Sequence, residues 1–157
     1  MNIELITNPL IEDFDKVIGL LNQIFEKFPG YVEYTSTEVF ERVSRSKDPM
    51  ILMATLEGRL IGFAICYEGR LAGFYHMREI GVGEEVRGMG IASRLYEEIE
   101  RFAKHQGYKG VTLNTFNKFR ESLRLAIKRG YEIYDLDKTH PYEDDPKIKL
   151  RLTFPEG

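Results

Sequence analysis

The residues best suited to do chemistry lie between positions 82 and 92, where an apolar run gives way to a helical pattern. This stretch contains Arg87, Gly88 and Gly90. A glycine in the first turn of a helix costs about 1 kcal/mol relative to alanine, so two glycines there indicate a need for bare backbone. The usual need is an anion that approaches amide N–H groups at the positive end of the helix. The stretch therefore predicts a pyrophosphate site.

The spacing of the glycines excludes two common phosphate-binding loops. A Walker loop needs Gly-Lys followed by Ser or Thr at the helix start, and the sequence contains no Gly-Lys pair. The dinucleotide fingerprint needs Gly-x-Gly-x-x-Gly, but the run from Gly81 reaches Val86 and the run from Gly88 reaches Ser93. A plain loop-to-helix junction, in which the glycines only relieve crowding, stays open as the alternative.

Apolar periodicity predicts the elements that position this stretch. Alternating or continuous apolar runs predict strands at 1–7, 50–56, 60–67, 71–82, 111–116, 131–136 and 147–154. Helical spacing predicts a helix at 14–28, a second that Thr35 and Glu38 cap, a third from Ile91 to Gly107, and a fourth at 118–129. The fourth should turn Leu123, Ala126 and Ile127 inward. A polar loop is expected at 137–146.

This order of elements predicts an α/β fold. We expect a mixed, mostly antiparallel central sheet of about seven strands flanked by four helices. The strand–helix–strand unit around the glycines should be a right-handed crossover between parallel strands. Ligands of such sheets bind at the carboxyl ends of the strands. A length of 157 residues fits a single domain over residues 1–157.

Composition narrows the functional class. A net charge of -3 argues against a general nucleic-acid binder, which is usually basic. One cysteine, Cys66, excludes a disulfide framework or a cysteine-based metal cluster, and its apolar surroundings predict a buried, inert thiol. No apolar run is long enough to cross a membrane, and the N-terminus shows no signal pattern. A cytoplasmic protein without metal, membrane or nucleic-acid partners is therefore expected.

Residues 82–95 resemble motif A of the GNAT superfamily of N-acetyltransferases, Gln/Arg-x-x-Gly-x-Gly/Ala. The matching residues here are Arg87-x-x-Gly90-x-Ala92. The order of predicted elements also fits the family over about the full length. In addition, Gly130-Tyr131 resembles the Gly-Phe that ends the family's next motif. The resemblance implies the GNAT fold and an acyltransferase that uses acetyl-coenzyme A as cosubstrate.

The resemblance implies a set of cofactor contacts. In the family, backbone N–H groups at the helix start hold the pyrophosphate; the matching residues are Arg87, Gly88, Met89, Gly90, Ile91 and Ala92. The strand before them splays through a bulge, and its backbone binds the pantetheine arm and the acetyl carbonyl; the matching residues are Ile80, Gly81 and Val82. Asn117, with Asn114 second, matches an asparagine that contacts the cofactor, and Asn117 could also cap the next helix.

The sequence departs from the family at the general acid. Many members carry a tyrosine on the helix after that asparagine, which protonates the leaving thiolate. Counting back from Gly130-Tyr131, the corresponding position is Ala126; counting forward from Asn117, it is Arg124. The remaining candidates are Tyr131, Tyr134 and Tyr96. Otherwise the thiolate leaves to water.

The general base is expected on the strand before motif A, at Glu79 or His76. Each has a structural alternative, an ion pair with Arg78 for Glu79 and a hydrogen-bonded structural role for His76. Glu33 and Tyr34 lie between the first two helices, where the family shapes its acceptor pocket, and are third-rank candidates for the base or for selecting the acceptor.

Four basic residues on the fourth helix could meet the adenine-side phosphate of coenzyme A or simply form a solvated face. They are Lys118, Arg120, Arg124 and Lys128.

The leading hypothesis is transfer of an acetyl group to a primary amine of a small molecule or a protein, by direct attack in a ternary complex. The alternative is a coenzyme-A-binding sensor or regulatory module that has lost catalysis, which the missing tyrosine favours. A non-enzymatic scaffold with an empty cleft is the third hypothesis. The resemblance leaves the assembly open between a monomer and the homodimer that is frequent in the family.

Overall fold

The computed structural model describes residues 1–28, 30–142 and 145–156. Its strands are β1 Asn2–Thr7, β2 Met50–Leu56, β3 Arg59–Glu68, β4 Phe74–Val82, β5 Gly110–Thr115, β6 Glu132–Tyr142 and β7 Asp145–Thr153. Its helices are α1 Ile11–Phe25, α2 Ser36–Ser44, α3 Ile91–His105 and α4 Arg120–Lys128. A single 3-10 turn, Glu84–Val86, lies between β4 and α3.

The seven strands form one mixed sheet in the order β1-β2-β3-β4-β5-β7-β6. The pairs β1–β2, β2–β3, β5–β7 and β6–β7 are antiparallel, whereas β4 and β5 are parallel. The predicted fold class, a mostly antiparallel sheet of seven strands with four helices, is thereby confirmed.

Two compact units can be distinguished within the chain. The first comprises Met1–Glu68 and Arg78–Ile99, and the second comprises Gly69–Met77 and Glu100–Gly157.

In the first unit, β2 and β3 are buried on both faces. Alternate residues of the two strands pack with α1 and α2 in one cluster: Phe14, Val17, Leu21, Val39, Val43, Ile51, Met53, Phe63 and Ile65. On the opposite face, α3 approaches so closely that a side chain at Gly62 would meet Ile91 and Leu95 at 3.1 and 3.5 Å. Burial on both faces explains why these strands read as continuous apolar runs in the sequence.

In the second unit, aromatic rings join β4 to the end of α3 and the residues after it. The Tyr75 ring lies 5.4 Å from the ring of Phe102 and 5.1 Å from that of Tyr108. On α4, Ala126 is buried as predicted, but Ile127 is 51% exposed, so its inward assignment is wrong. The short helix buries a stripe centred on Ala126, and the next residue lies about 100° away around the helix axis.

The prediction of a polar loop at 137–146 is wrong for 137–142 and 145–146, while 143 and 144 lie outside the described residues. β6 runs on to Tyr142 and β7 begins at Asp145, with Asp137 opposite Lys147 and Pro141 opposite Pro146. Because β6 lies at the edge of the sheet, its backbone pairing needs no apolar side chains. Apolar periodicity therefore gives no signal for this hairpin.

Several predicted boundaries shift by a few residues. α1 ends at Phe25 rather than near Phe28, and β4 begins at Phe74 rather than at Leu71. The Thr35 cap is confirmed, since its hydroxyl oxygen accepts a hydrogen bond from the Glu38 N–H at 3.2 Å. In the described part of the chain, no helix has the length and apolar character needed to span a membrane.

Two glycines offer a matched test of this packing. A side chain at Gly110 would overlap the Leu152 carbonyl oxygen and approach the Phe74 ring at 2.8 Å, whereas Gly19 within α1 has no neighbouring atom within 4 Å. We expect Gly110→Ala to lower the free energy of unfolding by about 1–3 kcal/mol or more. Gly19→Ala should raise it by roughly 0.5–1 kcal/mol. Urea denaturation measures both, and a stable Gly110→Ala protein would contradict the close approach of β5 and β7.

Candidate active site

The turn between β4 and α3 has a backbone that only glycine adopts readily. Gly88 has φ +82 and Gly90 has φ +78, both in the left-handed region. A side chain at either position would have no neighbour within 4 Å. Crowding therefore does not explain these glycines, and the alternative that they only relieve crowding is wrong. The backbone conformation requires them.

The first amides of α3 make no hydrogen bond within the helix. The first helical hydrogen bond runs from the Arg94 N–H to the Gly90 carbonyl at 3.2 Å, so the N–H groups of Ile91, Ala92 and Ser93 precede it. The first turn of α3 contains no acidic residue, whereas those of α1, α2 and α4 each contain at least one. The positive end of α3 is thus not neutralised by its own side chains and suits an anion.

Both acidic residues just before this turn are engaged by cations. Glu84 pairs with Lys27 at 3.1 Å, and Glu85 pairs with Arg59 at 2.8 Å. The hydrogen bond and charge of Lys27, followed by the charge of Arg87, hold the pKa of Glu84 below its usual value. Exposed pairs of this kind stabilise a fold little. These two pairs offset the negative charge that lies nearest in sequence to the first amides of α3.

The second half of β4 leads into this turn without pairing to β5. The register with β5 joins Phe74–Met77 to Gly110–Leu113 and ends there. Beyond it, the Gly83 N–H donates to the Ile61 carbonyl at 2.8 Å, which keeps the end of β4 beside β3. A side chain at Gly81 would lie 2.6 Å from Ile24 and 2.7 Å from Phe63. Gly81 is therefore fixed by the close approach of two core side chains.

The side chains of Arg78 and Glu79 come together although the two residues are adjacent in β4. Gly81 faces Ile24 and Phe63, so strand alternation directs Glu79, two positions earlier, toward the same side chains. The long Arg78 side chain reaches this region too, because its Nη1 lies 3.5 Å from the hydroxyl of Tyr67, which packs against the cluster that contains Phe63.

The environment of Glu79 is suited to proton transfer. Its side chain is 16% exposed, and the Arg78 Nε lies 3.7 Å from Glu79 Oε1. Burial raises the pKa of Glu79 to about 7, and the Arg78 charge offsets part of that rise. The Arg78–Glu79 contact expected as the structural alternative is present, but it leaves a carboxyl group that titrates near neutral pH. Such a group is well placed to act as a general base.

His76 and Asn117 belong to the second compact unit. The His76 Nδ1 lies 2.9 Å from the Thr112 hydroxyl, which agrees with the structural alternative for this histidine. The expected cap at Asn117 is wrong, since α4 begins at Arg120 and Phe119 occupies the N-cap position without a side-chain hydrogen bond. Asn117 is exposed and lies in the turn after β5.

A remote carboxylate holds the turn that carries Asn117. Asp145, which is 8% exposed, accepts hydrogen bonds from the Asn117 N–H at 3.0 Å and the Lys118 N–H at 3.2 Å. Sequence reasoning missed Asp145, because nothing near it in the chain indicates that it reaches a turn 27 residues earlier. Asn114, the second-ranked asparagine, is exposed on β5 opposite Lys149.

Comparison with known proteins decides the family. A model of the acetyltransferase (GNAT) family matches residues 15–131 of the 157. The chain belongs to the GNAT acetyltransferase family. None of the curated proteins compared with it is significantly similar in sequence.

Solved structures share this GNAT fold. The N-acetyltransferase from Staphylococcus aureus Mu50 has a TM-score of 0.78 at 20% identity, over 98% of this chain and 99% of that one. The protein smu.2055 from Streptococcus mutans UA159 has a TM-score of 0.80 at 16% identity, over 98% and 99%. A protein from Bacillus anthracis str. Ames, provisionally described as a streptothricin acetyltransferase, was crystallised with acetyl coenzyme A. It has a TM-score of 0.65 at 22% identity, over 73% and 68%.

Each tyrosine predicted as the general acid of this GNAT protein has surroundings that oppose the role. Tyr131 donates its hydroxyl to Glu100 Oε2 at 2.8 Å, and Arg129 contacts the same carboxylate at 2.6 Å. Tyr96 is 1% exposed. Tyr134 is half-buried under the Arg151 guanidinium, 5.2 Å from its ring centroid. Burial and the Asp135 charge raise the pKa of Tyr134, which opposes ionisation at neutral pH.

Asn22 organises the connector between α1 and α2 and was missed. Its Oδ1 accepts hydrogen bonds from the Tyr31 hydroxyl at 2.7 Å and the Tyr34 N–H at 2.8 Å, and its Nδ2 donates to the Tyr34 carbonyl at 2.9 Å. The signal was an asparagine four residues after Ile18, within the apolar stripe of α1. Two residues of this connector were predicted as base or acceptor-selecting residues. Tyr34 packs against the apolar cluster that α1 and α2 form with β2 and β3, and Glu33 is exposed.

The remaining candidates have ordinary environments. Cys66 is free and fully buried, and burial raises the pKa of its thiol, which agrees with an inert role. In the ranges that the structure describes, no group of three or more His, Cys, Asp or Glu side chains could hold a metal ion. The four basic residues in and before α4 are all exposed; they are Lys118, Arg120, Arg124 and Lys128.

The raised pKa of Glu79 predicts a pH-dependent stability. Its pKa of about 7 in the folded protein lies above the usual value of 4.5, so between these values the unfolded chain binds fewer protons and folding weakens as the pH rises. Glu79→Gln removes this titration. We expect its stability relative to the unsubstituted protein to increase by up to about 3 kcal/mol between pH 4.5 and 8. Urea denaturation across this range tests it, and a difference that does not change with pH would contradict the burial of Glu79.

Proposed function

We propose that this GNAT protein transfers the acetyl group of acetyl-coenzyme A to a primary amine of a small molecule or a protein, by direct attack in a ternary complex. The observation that carries the proposal is the first turn of α3. Two glycines with left-handed backbones, Gly88 and Gly90, precede its amides, and the turn itself contains no acidic residue. The Bacillus anthracis neighbour, crystallised with acetyl coenzyme A, supports the choice of cosubstrate.

The pyrophosphate is assigned to the backbone N–H groups of the turn. Gly88, Met89, Gly90, Ile91 and Ala92 supply them, whereas the Arg87 N–H of the predicted set already donates to the Glu84 carbonyl at 3.3 Å. Each hydrogen bond to a charged acceptor contributes roughly 1.5–3 kcal/mol, so several convergent amides suffice to anchor the cofactor. The exposed Arg87 adds a positive charge beside them.

The end of β4 is assigned to the reacting end of the cofactor. When bound, the thioester supplies an acetyl group that is activated toward amines. Backbone groups of Ile80, Gly81 and Val82 bind the pantetheine arm, and an N–H directed at the acetyl oxygen stabilises the negative charge that forms as the amine attacks. Asn117 supplies a further cofactor contact from the turn after β5.

Glu79 is proposed as the general base and His76 as the second candidate. The amine must lose a proton to attack, and a carboxyl group with a pKa near 7 accepts it efficiently at neutral pH. The His76 ring is already hydrogen-bonded to Thr112, which favours a supporting role.

The second candidate function is a coenzyme-A-binding sensor without catalysis. It is favoured by the absence of the usual tyrosine, since Ala126 or Arg124 stands at its position, together with the engagement of the Tyr131 hydroxyl by Glu100. Thiol release measured over a broad panel of amines and peptides distinguishes the two. Acetyl-coenzyme A binding with no thiol release for any acceptor would favour the sensor.

Replacement of one glycine should separate cofactor binding from folding. Gly90 and Gly107, at opposite ends of α3, both have left-handed backbones, with φ +78 and +88, and open space around them. Alanine at either should lower stability by a similar amount, about 1–2 kcal/mol. Only Gly90→Ala should displace the phosphate-binding amides and weaken acetyl-coenzyme A binding by about tenfold or more.

The measurement is a thermal shift titrated with acetyl-coenzyme A, since selective binding to the folded state raises the melting temperature. Equal affinity in the Gly90→Ala and Gly107→Ala proteins would refute the phosphate assignment. Absence of any shift in the unsubstituted protein would refute both cofactor-dependent functions.

The pH profile of kcat/KM should identify the base. With Glu79 in that role, activity rises through about pH 7 and then levels, because the carboxylate form is the active one. Glu79→Gln should lower kcat/KM by about 10²–10⁴-fold and remove this inflection, whereas His76→Ala should retain it. An inflection that survives in Glu79→Gln and disappears in His76→Ala would transfer the role to His76.

A further inference from the structure

Two partly buried arginine–glutamate pairs in this protein differ sharply in geometry. Arg129 contacts Glu100 through Nη2 at 2.6 Å and Nε at 3.3 Å, and the Tyr131 hydroxyl donates to the same carboxylate. Arg78 and Glu79 are equally shielded, with 16% of each side chain exposed, yet their contact is 3.7 Å. The first pair is a closed, bidentate ion pair and the second is open.

The open pair leaves donor capacity on Arg78. A guanidinium carries five N–H donors and no acceptor. Within the described residues, the buried Arg78 Nε has no hydrogen-bond partner, and the Nη1 contact to the Tyr67 hydroxyl is long, at 3.5 Å. A buried donor without a partner is unfavourable. The Arg78 guanidinium is therefore suited to bind a ligand that offers strong acceptor oxygens.

The Arg78 guanidinium lies beside the proposed base, with its Nε 3.7 Å from Glu79 Oε1. Its Nη1 reaches the hydroxyl of Tyr67, which packs, like Tyr34, against the apolar cluster that α1 and α2 form with β2 and β3. A fork-shaped guanidinium recognises a carboxylate through two parallel hydrogen bonds. A molecule that meets both residues at once therefore needs an amine and a carboxylate close together, as when one carbon carries both.

We infer that Arg78 binds a carboxylate of the acceptor, and that the acceptor is a small amine with a carboxylate on the carbon next to its nitrogen, as in a free α-amino acid. This inference rests on the proposed function, with Glu79 as base. The nitrogen forms a bond to the acetyl carbon and gives its proton to Glu79. The carbon–sulfur bond breaks, and its electron pair leaves on the coenzyme A sulfur. A protein N-terminus, which carries an amide at this position, lacks the group that Arg78 binds.

The test uses matched acceptor pairs. Thiol release is measured for the standard α-amino acids and for their amides, which keep the amine and side chain but lose the carboxylate. We expect the unsubstituted protein to favour the acid in the pairs that it acetylates, by at least about tenfold in kcat/KM. Arg78→Gln should lower that preference by about 10- to 100-fold, mainly through KM, while the thermal shift with acetyl-coenzyme A is retained. Arg78→Lys should fall between them, because it keeps the charge but loses the fork.

Arg129→Gln is the matched control. It removes an equally shielded arginine from the closed pair, so it should lower the melting temperature without changing the preference for acids over amides. A change in preference as large as that of Arg78→Gln would show a general structural effect and overturn the inference.

The outcomes are separable. Equal turnover of acids and amides by the unsubstituted protein would overturn the inference and leave the proposed function intact. Turnover of no amine, with acetyl-coenzyme A binding retained, would overturn both and favour the sensor. If Arg78→Gln does not fold, Arg78→Lys takes its place, and an unchanged preference for acids in that protein would overturn the inference.

Discussion

A helix must leave its first amides without helical partners, and the site of this protein depends on how α3 meets that constraint. The other three helices place acidic residues in their first turns, and α3 does not. Gly88 and Gly90 hold the preceding backbone in the left-handed region, while Lys27 and Arg59 engage the nearest carboxylates in sequence. Sequence, backbone conformation and local charge all favour an anionic ligand at this turn, which agrees with membership of the GNAT family.

β4 links this turn to the residues assigned to chemistry. Its end follows β3, and Gly81 is held against Ile24 and Phe63 by close packing. That packing fixes the face of Gly81 and, through the strand periodicity, the face of Glu79. Arg78 lies beside this carboxyl group, whose pKa burial raises to about 7. One short segment of β4 thus supplies both the proposed base and its cationic neighbour.

The parts predicted from sequence were those with local causes. The strands β2 and β3 follow from continuous apolar runs, and the glycine turn follows from a conformation that few residues adopt. The features that the sequence did not predict depend on contacts between residues that are separated along the chain. Asp145 reaches a turn that is remote in sequence, Asn22 fixes a connector through three hydrogen bonds, and the β6–β7 hairpin forms by backbone pairing without apolar alternation. The open contact between Arg78 and Glu79 likewise depends on strand geometry that no residue spacing reveals.

The proposed function depends above all on backbone amides at the start of α3 holding the pyrophosphate of acetyl-coenzyme A. The decisive measurement is a crystal structure of the complex. We expect pyrophosphate oxygens within hydrogen-bonding distance, about 3 Å, of N–H groups from Gly88 to Ala92, with Gly88 and Gly90 still left-handed. A cofactor bound with its pyrophosphate away from this turn would show that the assignment is wrong.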